Sequence, residues 1–164
     1  MERRQKAVAL MKLTRTVWSI VLLSLHNLQL LLWSAIIALL PNKIFEASYR
    51  TFLGRSWTSL QETDAELTTY VTAYARFWGI QGLLLGVILS VICYTAYRRT
   101  ERWSWLVVLV CSTIGWGSAI ALDVYLKDQI IVVFDAIPLL LAYSSLIISG
   151  KDTFGFKKDA EKVP

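Results

Sequence analysis

Four long apolar blocks bounded by charge divide this chain, at roughly 17–40, 72–94, 103–122 and 129–149. Each reaches the roughly 20 residues that a helix needs to cross a hydrocarbon core about 30 Å thick. The pattern predicts an all-α polytopic membrane protein, an antiparallel bundle of four transmembrane helices, with residues 1–164 forming a single membrane domain. The first block is too long for a cleavable signal, and Leu39-Leu40-Pro41 lacks the small-residue cleavage pattern.

The connections differ in kind. Arg98, Arg99, Thr100, Glu101 and Arg102 make a tight polar turn, which predicts an antiparallel hairpin of spans two and three. The stretch 41–71 is long. In it Ile44, Phe45, Tyr49, Phe52 and Leu53 form an apolar stripe interrupted by Lys43, Glu46 and Arg50, the pattern of an interfacial helix ending near Gly54. Thr63-x-x-Glu66 has the spacing of a capping box, so the second helix is expected to begin outside the membrane.

Composition agrees with the block pattern, at 55% hydrophobic residues and a mean hydropathy of +0.51. The formal charge of +5 is distributed as a topology signal. Arg3, Arg4, Lys6, Lys12 and Arg15 precede span one, Arg98, Arg99 and Arg102 fill the second connection, and Lys151, Lys157, Lys158 and Lys162 follow span four. The opposite connections hold Lys43, Arg50, Arg55 and Lys127, offset by Glu46, Glu62, Asp64, Glu66, Asp123 and Asp128. Both termini are therefore expected on the cytoplasmic side of a plasma membrane. Trp18, Tyr94, Tyr97, Trp103 and Trp105 fall at the same border, as an aromatic belt would. Anionic lipid accounts for the basic residues better than nucleic acid, which is not an expected partner.

Polar residues inside the spans carry the candidate chemistry. Counting 1.5 Å per residue from the basic borders puts His26 roughly 16 Å deep, Asn27 roughly 18 Å, and Gln29 and Asp135 both roughly 21 to 23 Å. Arg76 and Asp123 fall roughly 31 to 33 Å from that border, where an arginine can snorkel to the headgroups. Asp135, Pro138, Ala142, Ser145 and Ser149 share one face of span four; His26, Gln29 and Trp33 share one face of span one. These two faces are expected to meet, with His26, Asn27 or Gln29 bonding Asp135 and the carbonyl freed by Pro138 adding a polar site. His26, Asn27, Gln29, Arg76, Asp123 and Asp135 are thus the candidate polar interior, either as structural glue or as a ligand or proton site. Small residues form rows on span two (Ala75, Gly79, Gly82, Gly86, Ser90, Cys93) and span three (Cys111, Gly115, Ser118, Ala121), which favour close helix approach.

Most enzymatic chemistry lacks its residues, and no catalytic residue is singled out. One histidine cannot supply a bis-histidine haem within one subunit, and Met1 and Met11 lie outside the spans. Cys93 and Cys111 form no Cys-x-x-Cys and lie at different depths in their hairpin, roughly 8 and 14 Å, so a packing role is expected over a disulfide. No zinc ligand set and no phosphate-binding glycine loop is present, and no cofactor is expected.

Tyr-Ala-Arg-Phe-Trp-Gly at 74–79 and Tyr-Arg-Arg-Thr-Glu-Arg-Trp-Ser-Trp at 97–105 resemble the second span and cytoplasmic turn of small prokaryotic four-helix membrane proteins of the DoxX-like kind. The resemblance covers the middle third of the chain. It implies a four-helix bundle in a prokaryotic plasma membrane, and some DoxX-like proteins are membrane subunits linked to quinone-coupled sulfur oxidation. It carries over no catalytic residue.

Two functions stay open at this stage. The expected one is a non-enzymatic membrane subunit whose small-residue faces dock a partner protein or a second copy. The alternative is a binder or carrier of a lipophilic molecule, such as a quinone or lipid, with a small proton-coupled transporter as its variant. The topology is directly testable: a cysteine introduced at Ser59 reacts with a membrane-impermeant reagent in intact cells, and one at Lys157 does not. The reverse labelling pattern contradicts the orientation.

Overall fold

The computed structural model describes residues 2–155, without the side chains of residues 2–9, Lys12, Ala47 and Phe52. Of the basic residues on which the expected orientation rests, Lys157, Lys158 and Lys162 lie outside the described residues, as do the side chains of Arg3, Arg4, Lys6 and Lys12; Met1 and the Phe52 side chain lie outside them too. Six helices follow in order: α1 (Glu2–Leu39), α2 (Pro41–Leu53), α3 (Trp57–Thr63), α4 (Ala65–Thr95), α5 (Arg102–Tyr125) and α6 (Gln129–Phe154), with a 3₁₀ turn at Tyr97–Arg99. No strand occurs among the described residues. Leu13–Leu39, Ala65–Arg99, Arg102–Tyr125 and Gln129–Phe154 are each long and apolar enough to cross a membrane, at 27, 35, 24 and 26 residues. The protein is a multi-pass membrane protein, and the leucines, isoleucines and valines turned outward along these helices suit a lipid bilayer.

Local chemistry sets the helix ends. Pro41 opens α2 at a position where its missing N–H costs nothing, and Gly54 closes it with φ 65, a left-handed conformation that glycine adopts without strain. Ser56 caps α3, accepting from the Thr58 amide at 3.2 Å. The cap of α4 is Asp64, whose carboxylate accepts from the Leu67 amide at 3.0 Å, and not the predicted Thr63. Thr63 ends α3, and its hydroxyl is spent on the Ser59 and Leu60 carbonyls. The helix does begin well before the apolar block, at Ala65. Asp128 caps α6 by accepting from the Ile131 amide at 3.3 Å.

Packing follows an order that the chain connections do not suggest. The first span lies against both the second and the fourth, and the fourth lies against the third. The second and third spans, although joined by the short turn, hardly touch. Gly79 accounts for the close seam between spans one and two. A Cβ there would sit 2.5 Å from the Ala38 amide nitrogen and 2.8 Å from the Ser34 carbonyl oxygen, closer than real atoms approach. Gly86 gives the same relief to Leu31.

Near the turn, hydroxyl groups hold spans one and four to Tyr97. The Tyr97 hydroxyl has Ser19, Ser145 and Ser149 hydroxyls at 3.0, 2.8 and 2.7 Å. Ser145 also donates to the Ser19 carbonyl at 2.7 Å, and the Trp105 indole donates to the Leu146 carbonyl at 3.0 Å. Tyr97 is therefore buried, not part of the interfacial belt, because its hydroxyl satisfies three serines that would otherwise face an apolar interior. Trp18, Tyr94 and Trp103 are exposed, as the belt requires. Cys93 packs in the adjoining core with Leu23, Val108 and Leu146.

Candidate functional site

The gap between spans two and three is a cleft with a cavity of about 480 Å³. Trp78, Gln81, Gly82 and Leu85 line it from span two, Cys111, Gly115 and Ala119 from span three, and Leu30 and Trp33 from span one. Its surroundings are overwhelmingly apolar. Its polar lining groups are His26 and Ser112 at the floor, Gln81 and Ser118 on the walls of spans two and three, and Asp135 from span four.

His26 is fully buried and links span one to span three. The Trp116 indole donates to His26 Nε2 at 3.0 Å, and the Ser112 hydroxyl lies 3.3 Å from the same nitrogen. An indole N–H can only donate, so Nε2 carries no proton; the proton sits on Nδ1, which donates to Asn27 Oδ1 at 3.0 Å. The imidazole is thus a fixed neutral tautomer, with its edge set against the Trp116 ring at a centroid separation of 6.2 Å. Asn27, itself buried, is consumed in this arrangement.

Gln29 meets span four at the level of Asp135, yet it bonds elsewhere. Its amide donates to the Phe134 carbonyl at 3.1 Å. This is the carbonyl that Pro138 leaves free, because proline has no N–H to return to the residue four before it. Trp33 packs on the Phe134 ring just beyond, with centroids 5.2 Å apart. Spans one and four do meet, but none of the hydrogen bonds found for His26, Asn27 and Gln29 goes to Asp135 as expected; Gln29 takes the freed carbonyl instead.

Asp135 is 2% exposed, and its Oδ1 has no hydrogen-bond partner. The carboxyl group of Asp123 stands close by, and the two residues line one cavity. Asp123 Oδ2 is buried and likewise without a partner. Residue counting put these carboxyls at different depths. The structure joins them because side chains lean toward the start of their own helix, so Asp135 leans back toward the turn at 126–128 and Asp123 leans away from it. The pair borders a second cavity of about 390 Å³, roofed by Ile44, Phe45 and Tyr49 of α2. Asp135 belongs to the walls of both cavities. Arg76 stands apart, exposed in a polar recess with Asn42, Gln61 and Thr72, and lines neither cavity with the aspartates.

Of the six residues singled out from the sequence, the structure bonds His26 to Asn27, sends Gln29 to the Phe134 carbonyl, and places Asp123 with Asp135 on the wall of the outer cavity. It does not bring in Arg76. Trp116 and Ser112 are the members that residue counting missed; their i, i+4 spacing on span three, a tryptophan and a serine on one face, was the available signal. No family model, no curated protein and no solved structure matches this chain.

A double-mutant cycle tests the Gln29 contact. Gln29→Leu is expected to cost about 0.6 to 1.5 kcal/mol in a detergent melt, the range for interhelical hydrogen bonds and an orphaned acceptor. In a Pro138→Ala background the alanine N–H reclaims the Phe134 carbonyl, and Gln29→Leu should then cost close to nothing. Equal costs in both backgrounds contradict the assignment.

Proposed function

We propose that this protein binds a lipophilic small molecule in the cleft between its second and third spans, holding or passing it at the level of the bilayer interior. The carrying observation is the cleft itself. Its volume of about 480 Å³ falls within the roughly 300 to 1,000 Å³ typical of small-molecule sites, and its lining combines an apolar wall with a few fixed polar groups. Trp78, Gln81 and Gly115 on its walls are exposed, where a molecule dissolved in lipid would arrive.

The reading includes an antiparallel bundle in a plasma membrane, with both termini cytoplasmic and α2 lying along the outer interface. Supporting the antiparallel arrangement, Ser19 pairs with Ser145 while Gln29 pairs with Phe134, so residue numbers rise along one helix as they fall along the other. Supporting the orientation, Arg15, Arg98, Arg99, Arg102 and Lys151 gather at one end of the spans. Supporting the interfacial helix, Phe45 and Tyr49 turn inward onto the buried Trp57, at ring separations of 4.8 and 5.6 Å, while Lys43 and Arg50 stay exposed.

Docking of a partner helix has less support. Gly79, Gly82 and Gly86 are engaged against the protein's own first span. The cleft has room for about one turn of a helix some 10 Å across, far short of a membrane crossing. Gly115 does remain open, with nothing within 4 Å of where its Cβ would stand.

That opening supplies the test. The protein is purified in lipid nanodiscs and its retained small molecules are identified by native mass spectrometry. A stoichiometric apolar molecule is expected, and Gly115→Leu, whose Cβ meets nothing within 4 Å on the cleft wall, should displace it while the protein still melts cooperatively. A cleft that retains nothing, together with a stoichiometric protein partner unaffected by Gly115→Leu, contradicts the proposal.

A further inference from the structure

We infer that the ligand of this cleft is a lipophilic organic cation, whose charge is met by the Asp123–Asp135 carboxyl pair in exchange for one proton. The inference rests on the reading of the cleft as a small-molecule site and adds the chemical class of its occupant.

The pair is an unresolved electrostatic problem in the protein as it stands. Asp135 is almost wholly buried, its Oδ1 is without a partner, and it forms the boundary between the cleft and the outer cavity. Asp123 presents a second unpartnered oxygen beside it. No lysine or arginine lines either cavity. Two neighbouring carboxylates, one of them almost wholly buried, with no lysine or arginine on either cavity wall, favour taking up a proton or a cation.

None of the groups lining the two cavities supplies a positive charge. From span one, His26 is neutral with Nε2 already accepting, so it offers no countercharge. From α2 comes the Tyr49 hydroxyl, and from span three the Cys111 thiol; span two contributes Trp78 and Gln81, neither of which titrates. Asp128, close enough to act on Asp123 electrostatically, adds negative charge. Among the described residues no third imidazole, thiolate or carboxylate joins the pair to complete a metal site. An organic cation needs no such ligand set. Its apolar body suits the cleft wall, and Trp33, Trp78 and Trp116 supply the aromatic rings that attract a desolvated cation.

Charge balance sets the stoichiometry. The protonated pair is uncharged, so one cation entering is offset by one proton leaving toward the outer cavity. The second proton stays between the two carboxyls as an O–H···O⁻ bond, and the site remains neutral.

The probe is tetraphenylphosphonium, whose own charge does not change with pH, compared with uncharged triphenylmethanol, both titrated onto the full chain in nanodiscs. Wild type should bind the cation saturably, and its affinity should rise about tenfold per pH unit below the pH at which the empty pair loses its proton, levelling off above it. Asp135→Asn, which keeps the shape and the hydrogen-bonding capacity, should lose at least tenfold in cation affinity and keep its affinity for triphenylmethanol. Gly115→Leu should lose both. If triphenylmethanol binds and cation binding is insensitive to both pH and Asp135→Asn, the cation assignment is overturned and the cleft reading stands. If neither probe binds wild type, both fall. The wild-type pH slope decides the matter even where a variant does not fold.

Discussion

The insertion of the first span between the second and the fourth is the constraint on which the remaining architecture depends. Lipid offers no hydrogen bonds, so the polar groups along this helix must find partners on its neighbours. Ser19 finds Tyr97 and Ser145, His26 finds Trp116 and Ser112, and Gln29 finds the Phe134 carbonyl. Ser34 and Ala38 meet the gap left by Gly79. With span one so engaged and span three held by span four, spans two and three are kept apart despite their short connection. The cleft is what this separation leaves.

The polar groups around the cleft fall into two kinds. The floor of His26, Asn27, Ser112 and Trp116 is internally satisfied and rigid, with each hydrogen bond determined by a donor-only indole at one end. The outer end is not. Asp123 and Asp135 each keep a buried oxygen without a partner, and proteins tolerate such a cost chiefly where a ligand, ion or proton completes the site. Rigid floor and incomplete rim together separate the part of the cleft that shapes an occupant from the part that recognises its charge.

Much of this was legible in the sequence. Four spans could be read from apolar run length, because a membrane helix needs about 20 residues whatever its neighbours are. The close packing of Gly79 followed from its place in a small-residue row, and the role of the Phe134 carbonyl from the missing N–H of Pro138. The lateral order of the helices was not legible. Helices that are apolar all round carry little information about which face meets which neighbour, so the tight turn at Arg98–Arg102 pointed to a packed hairpin that hardly packs. The meeting of Asp123 with Asp135 was missed for a related reason: counting along the axis gives Cα depth and ignores how far each side chain leans. Tyr97 looked interfacial because its three serine partners lie on spans one and four, 48 or more residues away.

The separation of spans two and three can be measured directly, by pulsed electron resonance between spin-label pairs in nanodiscs. One pair is placed close to the turn, at Val91 and Leu106, and the other far from it at matching register, at Ile80 and Gly117. The account predicts a distinctly longer distance for the far pair, as the two helices diverge around the cleft. Equal distances, as for helices packed along their length at about 8 to 10 Å between axes, would contradict it.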